Sequence, residues 1–416
     1  MHEHHAALTR RQLLAAGTGL LGSSLVKPQI SSQKKTVAAI VTMYTDDRSL
    51  KSHASVIVGR MLEGYAPNNV RTEPRTQVVS MYTDQVPAND LSRGLAEKHH
   101  FKIYPTVGAA LCLGGNKLAV DAVLIVGEHG SYPTNAKGQK LYPRYELMEQ
   151  VVDVFRRDQR AVPVFSDKHL SYSWWKAKLM IEWSRELKFP LMAGSSIPVT
   201  VRVPELEVPY SAEFENALAV GYGNVDAYGF HTLETLQCMV ERRAGGERGV
   251  ASVQMLEGED VWRWRDSGEG RWSIPLLKAA LATTPKTKPG LPEQNAKEPI
   301  LFLLEYRDGL QAAAYLLNGH TSGFLFAGKL KGRPEPVATH CGFLEGGRPL
   351  AHFDGLVHCI EEMFITGQPL YPIERTLLTS GVLSFLFESR FQKRRIQTPE
   401  LKIAYRAPRD TYFQRL

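Results

Sequence analysis

The strongest constraint on this chain is a pattern of short apolar runs alternating with longer amphipathic stretches from residue 37 onward. Residues 37–43, 77–82, 120–126, 161–165 and 189–193 are apolar runs of strand length, and 55–63, 89–99, 144–155 and 174–187 have helical spacing. Runs this apolar are buried on both faces, and parallel neighbours need a crossover, usually a helix. The pattern therefore predicts a parallel α/β sheet. Asn89 or Asp90 would cap the second helix.

From about residue 194 the texture changes. Runs at 249–257, 299–306, 311–317, 323–328 and 336–343 are strand-like and closely grouped, which predicts an antiparallel or mixed sheet. Between two of them, residues 283–298 are rich in Pro and Lys and read as an exposed insertion. Residues 354–365 and 372–389 read as closing helices, with Pro372 in a first turn. A chain of 416 residues exceeds one compact core. The expected division is residues 37–195, residues 196–389, and a basic C-terminal strand and tail over 390–416.

The N-terminus reads differently. Thr9-Arg10-Arg11-Gln12-Leu13-Leu14 opens an uncharged stretch to Val26, too short to span a bilayer. It resembles the twin-arginine export signal, so residues 1–26 are expected to direct a folded protein to the periplasm, followed by a linker over 27–36. The net charge of +7 belongs to the ends. Residues 390–416 carry a net +6, and residues 27–389 balance 40 basic against 40 acidic side chains. With no helix-turn-helix, zinc finger or aromatic–basic platform, nucleic acid is not an expected partner. Cys112, Cys238, Cys341 and Cys359 form no CxxC pair and read as buried free thiols.

In a doubly wound sheet, ligands bind beyond the carboxyl ends of the strands. After the first run, no GxGxxG fingerprint appears, which argues against ordinary pyrophosphate binding; Thr42, Tyr44 and Thr45 could contact a phosphate instead. Asp84, after the second, suits a ribose hydroxyl. Gly127, Glu128, His129 and Tyr132 follow the third, and Asp167, Lys168 and His169 the fourth. A lysine in a partly desolvated cleft can relay a proton, whereas a solvated loop lysine is the plain alternative. The stretch 221–234 places Asp226, Tyr228, His231 and Glu234 at a helix start, where His231 and Glu234 share a face.

These stretches together resemble the Gfo/Idh/MocA-like (glucose–fructose oxidoreductase / inositol dehydrogenase) family. The run 120–127 is similar to its "vDaVlIaTP" strand, and 164–170 (VFSDKHL) to its "VxxEKPxa" motif. The stretch 221–236 is similar to "GGxxxDxGxHxxD", and 353–389 to its closing segment. The resemblance implies an N-terminal Rossmann-like parallel sheet domain and a C-terminal α/β domain with an open mixed or antiparallel sheet. It also implies a homo-oligomer through the strands of 299–343. Its implied catalytic residues are Lys168 and His231, with Asp226 displaced by one position. Thr42, Tyr44, Thr45, Asp84, Gly127 and Glu128 would face NAD or NADP, and His129, Tyr132, His169 and Tyr228 the substrate. The function so implied is oxidation of a sugar or polyol hydroxyl with a tightly bound nicotinamide, since NAD(P) is not freely supplied outside the inner membrane.

Two other readings stay open. Glu128, His129, His231 and Glu234 could hold a divalent metal for a carbohydrate lyase, epimerase or hydrolase. Alternatively the scaffold binds sugar without catalysis, with Tyr172, Trp174 or Trp175 stacking on the ring.

Overall fold

The structure, a computed structural model, describes residues 33–46, 51–342 and 350–415. The export-signal reading of residues 1–26 lies outside the described residues. Six parallel strands form the first sheet: β1 (Lys35–Val41), β2 (Thr76–Thr83), β3 (Lys102–Ile103), β4 (Ala122–Val126), β5 (Val164–Asp167) and β6 (Leu191–Gly194). Their order is β3-β2-β1-β4-β5-β6. The order reverses between β1 and β4, which opens a crevice at their carboxyl ends. The crossovers carry α1 (His53–Glu63), α2 (Ser92–His99), α3 (Val107–Leu111), α4 (Arg144–Asp158) and α5 (Trp174–Leu187).

The burial explains the composition of the runs. In β1 and β4, Ala38, Ile40, Val123 and Ile125 enter one core while Val37, Ala39, Val41, Ala122, Leu124 and Val126 enter another on the opposite face. Most element boundaries shift by one to three residues from the sequence reading, and two helix starts have a clear reason. Helix α2 starts at Ser92 after Leu91, which caps with no side chain, because Asp90 instead accepts from the Ser92 hydroxyl at 2.7 Å. Pro372 precedes its helix with extended ψ instead of entering the first turn.

The second sheet has eight strands: β7 (Val201–Val203), β8 (Phe214–Gly221), β9 (Val250–Glu257), β10 (Ile300–Tyr306), β11 (Gln311–Leu316), β12 (Phe324–Leu330), β13 (Val337–Gly342) and β14 (Ile396–Gln397). The order is β14-β9-β10-β11-β8-β12-β13-β7, antiparallel except where β11 runs parallel to β8. The fold is therefore α/β, a parallel sheet followed by a mixed one, as the pattern predicted. Strand β8 and helices α7 (Glu259–Asp266) and α8 (Ser273–Leu281) were not read from the sequence. A one-turn helix, α9 (Pro292–Asn295), interrupts the insertion.

Helices α6 (Ala227–Val240) and α11 (Ile373–Gln392) pack on the inner face, around Ala219, Phe302, Ala314 and Phe326. On the outer face, Leu218, Leu301, Leu303, Tyr315 and Leu325 pack against Val261, Trp262, Leu276 and Leu277 of α7 and α8. The chain itself thus covers much of the face expected to be shared between copies. The remaining helix, α10 (His352–Thr366), lies against α1. There Arg60 meets Asp354 at 2.6 Å, and buried Glu361 accepts from the Tyr65 hydroxyl at 2.7 Å and the Thr76 amide at 2.8 Å.

Candidate active site

The carboxyl ends of β4, β5 and β6 deliver Glu128, Lys168 and Ser195 to one place, and the first turns of α6 bring Tyr228 and His231 to meet them. Lys168 takes a left-handed backbone conformation (φ 68°) and its amide donates to the Gly194 carbonyl at 3.1 Å. A non-glycine residue there is strained by roughly 1–3 kcal/mol, so the surrounding contacts must hold it. They do so at the ammonium. Lys168 Nζ lies 2.8 Å from His231 Nε2, 3.5 Å from the Ala227 carbonyl and 3.7 Å from a Glu128 oxygen.

An ammonium has donors only, so His231 Nε2 accepts and the imidazole proton sits on Nδ1. Nδ1–H then donates to Ser195 Oγ at 2.6 Å, and the same oxygen accepts from the Ile197 amide at 3.0 Å. Burial and the neighbouring Lys168 hold the His231 pKa well below its usual value, so the ring is neutral. Burial opposes ionisation of Glu128, but Lys168 and Arg144 outweigh it and hold the carboxyl well below its usual range. Arg144, wholly buried, pairs with Glu128 directly and donates to His169 Nε2 at 3.3 Å. Behind His231, Glu234 accepts from the Thr379 hydroxyl at 2.6 Å, and burial pushes its carboxyl up to about 7.

Beside this pair opens a cleft of about 800 Å³, whose lining includes Glu128, Tyr142, His169, Asn224, Asp226 and Ala227. Two polar atoms on it have no protein partner: His169 Nδ1 and Asp226 Oδ1. Since Arg144 donates to His169 Nε2, Nδ1 carries the proton and is a buried donor without a protein partner. Asp226 Oδ2 accepts from the Lys140 amide at 2.8 Å, and burial raises its pKa. An unpartnered donor and an unpartnered acceptor among the lining residues suit hydroxyl groups, which do both.

The crevice at β1 is filled from within. Thr42 donates to the Glu128 carbonyl at 2.9 Å; Tyr44 is buried in the core; Thr45 exchanges hydrogen bonds with Ser52, the cap of α1. The Ser52 hydroxyl accepts from the Ser55 amide, and the His53 amide donates to His129 Nδ1 at 3.2 Å. His53 itself reaches Asp167 at 2.6 Å. A diphosphate at this place needs free amides at the helix N-terminus; among the described residues the His53 and Ser55 amides are already taken by side chains, which disfavours that group. Asp84 accepts from the hydroxyls of Tyr82 and Tyr132, and Gly127 lies under Arg144. The metal alternative fails on geometry. Both nitrogens of His231 are engaged, Glu128 faces two cations, Glu234 lies behind the imidazole, and no set of three or more ligating side chains converges among the described residues.

The structure thus brings Lys168, His231, Glu128 and Tyr228 together and sets Asp226 and His169 on the cleft. It leaves Thr42, Tyr44, Thr45, Asp84, Gly127, His129 and Tyr132 in structural contacts. Arg144, Ser195 and His53 were missed. Ser195 follows a strand run and was open to the strand-end rule; Arg144 and His53 gave no local signal.

In this architecture a six-stranded parallel sheet precedes an eight-stranded mixed sheet, and a lysine–histidine pair lies at the carboxyl ends of the first sheet's strands. The chain has the fold of the Gfo/Idh/MocA inositol dehydrogenases and related NAD-binding oxidoreductases. It is similar to apo scyllo-inositol dehydrogenase from Lactobacillus casei, with a TM-score of 0.52 at 10% identity over 88% of this chain and 98% of that one. GenD2 from gentamicin A biosynthesis, solved with NAD, gives 0.53 at 11% identity over 92% and 99%. The myo-inositol 2-dehydrogenase from Lactobacillus plantarum gives 0.51 at 9% identity over 88% and 99%. No protein-family profile and no curated protein sequence matches the chain.

Proposed function

We propose that the protein is an acid–base catalyst acting at a hydroxyl-bearing carbon of a sugar or polyol bound in the cleft. The observation that carries this is the 2.8 Å contact of buried Lys168 with His231 beside a polar cleft. A substrate hydroxyl that displaces the Lys168–His231 contact would give its proton to the freed Nε2 of the neutral imidazole, and the ammonium would stabilise the alkoxide that forms. His169 and Asp226 orient neighbouring hydroxyls. Lys168→Met should abolish turnover while a sugar still binds; a Lys168→Met protein of unchanged activity would refute the assignment.

A second reading is an exported oxidoreductase that keeps a nicotinamide bound. The fold shared with GenD2, solved with NAD, favours it; the filled N-terminus of α1 stands against it. Mass spectrometry of small molecules released from natively purified protein separates the two. Stoichiometric NAD or NADP establishes the second reading, and its absence alongside Lys168-dependent turnover establishes the first. The Arg10-Arg11 segment supports export by the twin-arginine machinery, and N-terminal sequencing of protein from a periplasmic fraction tests it.

A further inference from the structure

A second recess, of about 350 Å³, lies between the outer face of the mixed sheet and the α7–α8 segment. Its floor is built by register. Ser252 on β9 stands opposite Glu305 on β10, and Glu305 opposite Gln311 on β11, so three polar side chains form a row across adjacent strands. This is the face whose other positions, Leu301, Leu303, Ala313 and Tyr315, are core. Polar residues here interrupt a pattern that elsewhere on the same strands is apolar.

The wall is built by a glycine. Any side chain at Gly270 would collide with the Trp264 carbonyl, since a Cβ there would be 2.1 Å from it. The loop after α7 therefore folds back on the helix, and Trp272 meets Trp264 with ring centroids 6.0 Å apart. Both indoles line the recess. The Trp272 Nε1 donor is buried without a protein partner. Arg395, which approaches Glu305 at 3.9 Å, and exposed Glu269 complete the rim.

We propose that this recess is a saccharide-binding site separate from the Lys168 cleft, taking one or two neutral pyranose rings. Indoles offer apolar area to the C–H faces of a sugar ring. Trp272 Nε1, the Gln311 amide and Arg395 donate, while Glu305, whose Oε2 also takes the Ser252 hydroxyl at 3.0 Å, and Glu269 accept. Hydroxyl groups need both kinds of partner. The two carboxylates disfavour an anionic ligand, and Arg395 disfavours a cation. The volume is at the lower end of the usual ligand range of roughly 300–1,000 Å³. The site does not depend on the chemistry assigned to Lys168.

The test is a titration of the full-length protein with D-glucose and with cellobiose, followed through the indole N–H resonances of its six tryptophans. The Trp264 and Trp272 signals should move at millimolar sugar. Glu305→Ala and Gln311→Ala, both at exposed positions, should fold normally and weaken binding about five- to tenfold each, the effect of one lost hydrogen bond. Trp272→Phe should do the same through loss of its N–H. Asp226→Ala, in the other cleft, should leave these shifts unchanged. The proposal is overturned if neither sugar moves the two signals, if Glu305→Ala and Gln311→Ala bind as well as the parent, or if Asp226→Ala abolishes the shifts. Failure of the Lys168→Met prediction would leave this result untouched.

Discussion

Replacing Glu234 by glutamine should stabilise the protein in mild alkali and leave it unchanged in acid. The carboxyl is 1% exposed, and burial is the largest influence on it, raising its pKa from 4.5 to about 7 against the opposing pull of Arg375. In the unfolded chain the group ionises near its ordinary value. Between the two values the unfolded state has released the proton while the folded state retains it, so stability falls as pH rises. Above the folded value the whole cost is present; at 1.36 kcal/mol per pKa unit it is about 3 kcal/mol. Glutamine keeps the size and an acceptor for the Thr379 hydroxyl, and has no charge to desolvate. Urea denaturation of parent and variant should therefore differ by about 3 kcal/mol near pH 8 and by about zero near pH 4. A difference that does not change with pH between these limits would refute the argument. So would a variant less stable than the parent at the alkaline end, which would mean that ionised Glu234 is held by its neighbours.

Asp354→Asn should cost about 3 kcal/mol, because it leaves the Arg60 guanidinium buried beside a neutral partner and loosens α10 from α1; chemical denaturation measures it. Gly249→Ala should cost at least about 3 kcal/mol by the same measurement, since its φ is +99° and a Cβ would lie 1.9 Å from the Leu401 carbonyl. All four cysteines are free and buried, and burial pushes Cys238 up to about 11 and Cys341 up to about 12. A thiol reagent at neutral pH should label none of them in the native protein and all of them after unfolding, as counted by mass spectrometry.

Much of the architecture was legible locally. The apolar runs 120–126 and 161–165, read as strands, overlap β4 and β5, and helix α5 falls on the residues its spacing indicated. Strand β8 was harder to see, since the polar pair Glu215 and Asn216 stands near its start and only its last five residues are buried. Helices α7 and α8 follow a Trp- and Arg-rich stretch whose apolar positions gain meaning only against the outer face of the sheet.

By itself, the sequence placed Glu128 and Lys168 just after two apolar strand runs, because period and turn residues act over a few positions, whereas His231 was drawn to them only by the family resemblance. It also determined the absence of a glycine loop. Only the tertiary structure decided what fills the gap this leaves. His53 meets Asp167 across 114 residues, Lys168 meets His231 across 63, and the Thr42 hydroxyl is consumed 86 residues away. Such partnerships are set by the packing of whole elements. A buried polar group must find a partner wherever packing places one, and no local pattern encodes which it will be.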